Sequence, residues 1–264
     1  MSIFFPIFLI FLPIYFMSES NATPWQEATG ARARLVVGHA EGARYAALEI
    51  DLDKGWHTYW RFPGASGLPP ELDWSQSVGV EIGETIFPAP RFFDDGAGGF
   101  NGYEADTGFA APLRAQDNAK LVLHASLGVC REICVPVRFD FALDVADAPT
   151  HDAFIEGILA ARPQSPSPVL AIGAAWFDGE TLNLRVVGEN LHDVSLIIAR
   201  PDDGALETPR LIAATEDSRD FALPLAAPLD PPLTGRKLTF IVRNGRRTIA
   251  QAIIIAAHPP EDTP

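Results

Sequence analysis

The chain contains two cysteines, Cys130 and Cys134, which lie four positions apart. Alternating apolar residues before and after them predict two β-strands that flank the pair. On one continuous strand the two Cα atoms would lie about 13 Å apart, at roughly 3.3 Å per residue. A disulfide usually joins residues whose Cα atoms are about 4.4–6.8 Å apart. The cysteines can therefore bond only if residues 130–134 form a turn between the strands.

A purely structural disulfide is the first interpretation of this pair. Closing a loop of about five residues removes only about 2 kcal/mol of unfolded-state entropy. A chain of 264 residues with 47% hydrophobic residues can bury a sizeable core and has little need of so small a constraint. The structural role stays open, but its expected contribution to stability is small.

A metal site is the second interpretation. Structural zinc takes four ligands, and His124 lies six positions before Cys130, about 20 Å away on a straight strand. Of the other histidines, only His57 lies in a segment that looks functional. Two thiolates alone suit Cu(I). The alternative to redox chemistry is therefore a Cu(I) site formed by Cys130 and Cys134.

Thiol–disulfide exchange is the third interpretation and the one that the pattern favours. Exchange proceeds by attack of a thiolate on a disulfide through a mixed disulfide, and it needs no cofactor. Arg131 adjoins Cys130 and favours its thiolate, although Glu132 partly offsets that field. No helix begins at the pair, so we expect reactivity to depend on partner docking and shielding.

Composition restricts the partners. The formal net charge is −14, which repels a phosphate backbone or an anionic membrane surface, so nucleic-acid binding is not expected. The 23 prolines and 21 glycines, with few helical patterns, favour an all-β architecture with many turns.

The N-terminus indicates export. The stretch from Ile3 to Met17 is almost wholly apolar, and small and polar residues follow it. This pattern predicts a signal peptide over residues 1–22, cleaved after Ser20 or Ala22. The run is short for a membrane-spanning helix, and an uncleaved anchor is the alternative. The mature protein is expected in a compartment where disulfides persist.

Strand patterns occur on both sides of one predicted helix. They predict a first β-sandwich over residues 23–150 and a second over 169–258. Thr150–Arg162 is the predicted helix, with Thr150 as N-cap, and a Pro/Ser linker completes the connection over 151–168. Residues 87–112 are predicted to be a long irregular segment, whose aromatic side chains could fold over a site.

Several motifs occur in an order that resembles a known family. They are Gly55-Trp56-His57-Thr58-Tyr59-Trp60-Arg61-Phe62-Pro63-Gly64, Ser66-Gly67-Leu68-Pro69-Pro70, Phe87-Pro88-Ala89-Pro90, Gly102-Tyr103-Glu104, and Val129-Cys130 with Cys134-Val135-Pro136. Over roughly residues 30–150 the chain resembles the periplasmic N-terminal domain of the thiol:disulfide interchange protein DsbD. The resemblance is closer to the ScsB-type, copper-sensitivity-suppressor branch.

The resemblance implies an immunoglobulin-like fold and assigns roles to residues. The expected architecture is all-β, with two immunoglobulin-like β-sandwich domains joined by a short helix and the Pro/Ser linker. Cys130 and Cys134 would be the exchanging pair, with Cys134 forming the mixed disulfide. Phe100 would shield the cysteines as a cap. Further residues expected around the pair are His57, Tyr59, Tyr103 and Arg131. Alternatives for the cap are Phe92, Phe93 or Tyr103.

The resemblance also implies a function in the periplasm. A domain of this family receives electrons from a membrane-embedded partner and passes them to thioredoxin-fold proteins. The sequence shows neither a membrane-embedded conducting domain nor a thioredoxin domain, so the expected donor is a separate membrane protein. If active, the protein would be a thiol:disulfide oxidoreductase. The spacing of three intervening residues is shorter than in the best-known members, so the cap geometry is expected to differ.

Overall fold

The computed structural model describes residues 21–64, 67–94, 99–145, 150–198, 206–225 and 232–260. Most of the predicted signal peptide lies outside these ranges. No helix within them is long and apolar enough to cross a membrane. The described chain is built almost entirely from β-strands, so the all-β, immunoglobulin-like prediction is confirmed.

Ten strands precede the helix and form one continuous network of pairings. Their bounds are Gln26–Ala28 (β1), Ala31–Ala40 (β2), Ala43–Leu52 (β3), His57–Tyr59 (β4), Glu71–Asp73 (β5), Val78–Ile82 (β6), Arg91–Phe93 (β7), Phe100–Tyr103 (β8), Thr107–Cys130 (β9) and Cys134–Asp144 (β10).

The long strand β9 organises this part of the chain. Its first residues, 107–112, pair with β3, and the remainder pairs successively with β6, β5 and β4. Its other edge pairs with β10 over residues 120–130. One strand therefore belongs to both layers of the sandwich, and the cysteine turn lies at its far end.

The alternating pattern of β9 and β10 fills the core between the layers. Leu121, Leu123 and Leu127 are almost fully buried, and Phe139 and Phe141 of β10 are buried on the same side. These side chains pack against apolar residues of β2 and β3. Because successive side chains of a strand point to opposite faces, the sequence alternation is sufficient to specify the inward face.

A second, separate core follows the helix α1 (Asp152–Ala160). Sheet order is β11-β12-β15-β14 in a four-stranded sheet and β13-β16-β17 in a three-stranded sheet. The strands are Leu170–Phe177 (β11), Thr181–Gly188 (β12), Val194–Ile198 (β13), Arg210–Ala214 (β14), Ser218–Pro224 (β15), Lys237–Asn244 (β16) and Arg247–Ile254 (β17). Asn244 ends β16 and pairs with Arg247, so the β16–β17 hairpin turns at Gly245 and Arg246. Gly245 has a φ of 58°, a conformation that glycine adopts at low cost.

Two local predictions were wrong. The segment 87–112 is not irregular throughout, because it contains β7, β8 and the start of β9. The first two are only three and four residues long, too short to give a periodic signal. The helix is shorter than predicted, and His151 rather than Thr150 is at its N-cap position.

The two cores meet through a small apolar contact and several hydrogen bonds. Trp60, which follows β4, is buried with Ile197 and Ile241 of the second unit. Gln164 exchanges backbone hydrogen bonds with β17, donating to Thr248 O at 2.8 Å and accepting from Ala250 N at 2.9 Å. The Pro/Ser segment is therefore held against the second unit. The domain boundaries given above stay a prediction.

We expect Phe109→Ala to lower the free energy of unfolding by about 3–5 kcal/mol, because it empties a fully buried ring site. Phe109 is 0% exposed, and its ring centroid lies 4.7 Å from that of Phe87. Denaturant unfolding of the oxidised protein measures the change. Leu211→Ala, at a side chain that is 55% exposed, is the control and should change stability by less than about 0.5 kcal/mol. A loss below about 1 kcal/mol for Phe109→Ala would contradict the packing.

Candidate thiol–disulfide site

Cys130 and Cys134 form a disulfide across the β9–β10 hairpin. Cys130 ends β9, Cys134 begins β10, and the two residues are directly paired in register. Their Cα atoms are 4.1 Å apart, close to the spacing of a non-hydrogen-bonded antiparallel pair. The turn of residues 131–133 is closed by a hydrogen bond from Arg131 N to Ile133 O. The structure therefore contains the turn that the cysteine spacing requires.

Strand pleating gathers the aromatic residues on the face of the disulfide. His57 of β4 is paired with Cys130, and Tyr59, two residues later, points to the same face. Tyr59 is in turn paired with Gly102 of β8, which places Phe100 on this face as well. Two neighbouring strands, β4 and β8, thus contribute His57, Tyr59 and Phe100 to one surface around the sulfurs.

The hydroxyl of Tyr59 contacts both sulfur atoms. It lies 2.9 Å from Cys130 Sγ and 3.1 Å from Cys134 Sγ. A disulfide sulfur carries no proton, so the phenolic O–H is the donor in this state. The side chain is 2% exposed, which shields the contact from competing water.

Two glycines make room for the Tyr59 ring. A Cβ atom on Gly128 would lie 2.9 Å from Tyr59 Cδ2, and one on Gly67 would lie 2.8 Å from Cδ1. The two ring edges are therefore each closed off by a glycine backbone. The motifs quoted above contained Gly67, but the need for a glycine two residues before Cys130 was missed, because only the paired strands reveal it.

Phe100 covers the pair from β8. Its ring stacks on the His57 ring, with a centroid distance of 4.1 Å and an angle of 13° between the ring planes. Its ring also meets Tyr59 edge to face at 5.4 Å, and the side chain is buried with Cys130. The ring of Phe93 in β7 stacks on the ring of Phe100, with a centroid distance of 5.0 Å. The cap is thus a row of aromatic rings.

The two sulfurs differ in access. Cys130 is 2% exposed and packs with Tyr59 and Phe100, whereas Cys134 is exposed. Ile133, immediately before Cys134, is 71% exposed. An incoming thiolate can therefore approach the Cys134 end of the bond more directly than the Cys130 end.

Two of the predicted surrounding residues have their contacts elsewhere. Tyr103 lies three positions after Phe100, so its side chain points to the opposite face of β8. Its hydroxyl donates to Pro88 O at 2.9 Å, and its ring packs beside Phe109. The Arg131 guanidinium is placed over the Trp56 ring, 5.3 Å from the centroid. The structure thus brings together His57, Tyr59 and Phe100, but not Tyr103, at the sulfurs.

His124 takes part in a separate polar contact. Its Nδ1 lies 2.5 Å from Asp140 Oδ1 on β10, and β9 stays paired with β10 throughout the interval up to Cys130. The strand therefore does not bend back to bring this imidazole to the sulfurs. Within the described ranges, no group of three or more His, Cys, Asp or Glu side chains is arranged to hold a metal ion.

Residues 27–145 match the family model described as the N-terminal domain of the thiol:disulfide interchange protein DsbD. This region is a DsbD-family N-terminal domain. The match covers every strand from β2 to β10, including the disulfide and its aromatic cover. The predicted family is therefore confirmed, and the region is a thiol:disulfide interchange domain.

The fold is similar to a solved structure, the N-terminal periplasmic domain of ScsB from Proteus mirabilis. The two chains are 22% identical, with a TM-score of 0.75, and the match covers 90% of this chain and 100% of the other. At this identity the similarity concerns the fold, and it extends through both units. Comparison with curated protein sequences gives no match.

Gly128→Ala should displace the Tyr59 ring, because the new Cβ would lie 2.6 Å from Leu68 Cβ and 2.9 Å from the ring. We expect a loss of about 1–3 kcal/mol in the free energy of unfolding, as for other overpacked sites, with a shift of the Tyr59 ring resonances. Gly157→Ala in α1 is the control, since nothing lies within 4 Å of its added Cβ. If Gly128→Ala and Gly157→Ala change the free energy of unfolding and the Tyr59 ring resonances equally, the Tyr59 ring does not need the space beside Gly128.

Proposed function

We propose that the protein is a periplasmic thiol:disulfide exchange protein that passes electrons from a membrane-embedded reductant to thioredoxin-fold partners. The observation that carries the proposal is a single disulfide with one exposed sulfur and one buried sulfur, both contacted by the Tyr59 hydroxyl. That arrangement favours attack at one end of the bond. Thiol–disulfide exchange itself needs no metal or organic cofactor.

Reduction begins when a thiolate of the donor attacks Cys134 Sγ. The new bond joins the donor sulfur to Cys134, the Cys130–Cys134 bond breaks, and Cys130 leaves as a thiolate. The donor's second thiolate then attacks its own sulfur in the mixed disulfide and releases Cys134. Two electrons have moved, the donor is oxidised to a disulfide, and Cys130 and Cys134 are reduced. The same steps in reverse reduce a partner's disulfide.

Tyr59 stabilises the leaving group in this scheme. Its hydroxyl already points at Cys130 Sγ in the oxidised state, so no rearrangement is needed when negative charge develops on that sulfur. A hydrogen bond to an ionised acceptor is roughly twice as strong as one between neutral groups. Cys130 is buried in a cluster with Tyr59, Phe100 and Phe93, and the Tyr59 hydroxyl contacts its sulfur directly, so this hydroxyl is well placed to bear the charge.

Phe100 excludes reagents that do not dock. The ring is 6% exposed and packs with Cys130 and Tyr59. It is flanked by Gly99, which has a φ of 73°, a backbone conformation that glycine adopts at low cost. The ring therefore shields Cys130, while Cys134 stays exposed. A partner that displaces the aromatic row gains access to the buried sulfur, whereas a small oxidant in solution does not.

Exposed apolar side chains around the site favour a protein partner. Leu68 is 43% exposed and packs near Gly128, Phe92 is 39% exposed beside Gly99, and Ile133 is 71% exposed next to Cys134. Apolar groups that surround a buried reactive bond are typical of a protein-docking surface. Thioredoxin-fold proteins present their own cysteines at an exposed surface, and the resemblance to the DsbD family supports them as partners.

The periplasmic location rests on two supports. The comparable ScsB domain is described as periplasmic, and the first 22 residues have the pattern of a signal peptide. A disulfide persists in that compartment.

Trapping tests the exchange step. In Cys130→Ser the exposed Cys134 remains without its resolving thiol, so we expect it to accumulate a mixed disulfide with a thioredoxin-fold protein of the periplasm. Cys134→Ser keeps only the buried Cys130 and should trap at least about tenfold less, in line with the dependence of exchange on thiol access. Non-reducing gels and mass spectrometry of the adducts measure both. Equal trapping by the two variants would contradict the proposed order of attack.

The alternative function is Cu(I) binding by the same two thiols, and a specific experimental result would favour it over thiol exchange. A reduced protein that binds one equivalent of Cu(I), loses it in Cys130→Ser, and exchanges with no thioredoxin-fold partner would act as a copper-binding protein. Cu(I) suits two thiolates.

Phe100→Ala tests the cap. Removal of the ring should speed oxidation of the reduced protein by a small disulfide reagent by about tenfold or more, because thiol reactivity follows access. Stopped-flow measurement of thiol loss gives the rate. Phe62→Ala is the control, since that ring packs on Trp60 and not on the sulfurs. An unchanged rate in Phe100→Ala would remove this residue from the shielding role.

A further inference from the structure

A cleft of about 550 Å³ lies where the first unit, the end of α1 and the second unit meet. Its lining includes Arg91 of β7, Arg162 after α1, and Arg243 and Arg246 of the β16–β17 hairpin. The volume is within the range of small-molecule sites. The cleft is on the Tyr103 side of β8. It shares Phe93 with the aromatic row, but its lining does not include Cys130, Cys134, Tyr59 or Phe100.

The arginines of this cleft are short of counter-charges. Arg162 is paired with Glu41, with Nη2 to Oε1 at 2.9 Å and Nη1 to Oε2 at 3.2 Å. Among the described residues, Arg91, Arg243 and Arg246 have no carboxylate within 4.0 Å. The protein has 34 acidic and 20 basic residues, so acidic partners are abundant elsewhere. Within the described chain, three guanidinium groups thus line one cleft without a paired carboxylate, and Arg91 and Arg246 are exposed and accessible to an external anion.

The best-held of the three is Arg243. It is half-buried, and its Nη2 donates to Pro90 O at 3.0 Å, which ties the hairpin of the second unit to the segment before β7. Burial and the positive charge of Arg91 lower the pKa of Arg243, while Asp193 acts in the opposite direction. The guanidinium is thus fixed in position and partly desolvated, which strengthens its attraction for an anion.

Two carboxylates line the same cleft. Glu104 is exposed, and Asp106 accepts a hydrogen bond from Leu52 N at 3.3 Å. These carboxylates would repel an anion that carries negative charge on every side. They can, however, accept hydrogen bonds from hydroxyl or ammonium groups of a ligand. The lining therefore suits a ligand that presents oxyanion groups to the arginines and hydrogen-bond donors to the carboxylates.

We propose that the interdomain cleft binds a small anionic molecule whose carboxylate or phosphate groups are held by Arg91, Arg243 and Arg246. Arginine recognises both kinds of oxyanion through paired N–H donors. The site requires both units, because Arg91 comes from the first and the other two from the second. It does not depend on thiol exchange at Cys130 and Cys134.

Isothermal titration with two probes, citrate and inorganic phosphate, tests the site at fixed low ionic strength. Citrate carries three carboxylates and a hydroxyl, and phosphate represents the other source of oxyanions. We expect saturable one-to-one binding of at least one probe with a dissociation constant of about 1 mM or tighter. Binding of citrate but not phosphate would indicate that the cleft takes carboxylate ligands. Binding of phosphate but not citrate would indicate that it takes phosphorylated ligands.

The cleft variant is Arg91→Gln combined with Arg246→Gln, which leaves the Arg243 hydrogen bond in place. It should weaken binding by about tenfold or more. The control is Arg114→Gln combined with Arg210→Gln, which changes the charge equally at arginines paired with Glu81 and Glu207. If both double variants weaken binding equally, the loss follows from the change in net charge and not from the cleft, and the proposal is overturned.

NMR chemical shifts provide an independent readout. Binding to the wild-type protein should shift the amide resonances of Ala161 and Thr248, which line the cleft, and leave those of residues 131–133 unchanged. Absence of saturable binding by either probe, or shifts confined to other surfaces, would overturn the site even if the cleft variant proved unstable.

Discussion

The cross-strand register of β9, β10 and β4 is the constraint on which the site depends. The pairing of Cys130 with Cys134 brings two sulfurs together at the end of a long hairpin, and the pairing of His57 with Cys130 places β4 beside them. A shift of one residue in either pairing would turn these side chains to the opposite face. The eleven paired positions between β9 and β10, with their buried alternate side chains, hold the register.

Strand β4 connects the disulfide to the second unit. Tyr59 faces the sulfurs, and Trp60 follows it with its side chain on the other side, buried against Ile197 and Ile241. Trp60 N also donates to Asn101 O at 3.0 Å, next to Phe100. The second unit is therefore packed against the same short segment that positions both the hydroxyl and the cap, which gives it a physical connection to the site.

The sequence predicted features that depend on local patterns and missed those that depend on assembly. The cysteine spacing required a turn, and alternation located β9 and β10. Strands β7 and β8 were missed because they gain their pairing only from β4 and from each other. The aromatic positions came from family resemblance, which also misplaced Tyr103. The arginine cleft could not be predicted, because Arg91 and Arg243 are distant in sequence and meet only when the two units pack together.

Access, more than charge, controls the chemistry that this geometry permits. Arg131 stacks on Trp56, and within the described chain no helix begins at the sulfurs. The polar group at the sulfurs is a neutral phenol, which stabilises a thiolate as it forms without attracting anions beforehand. On the proposed mechanism, selectivity would follow from which proteins can attack the exposed Cys134 and displace Phe100 from the buried Cys130.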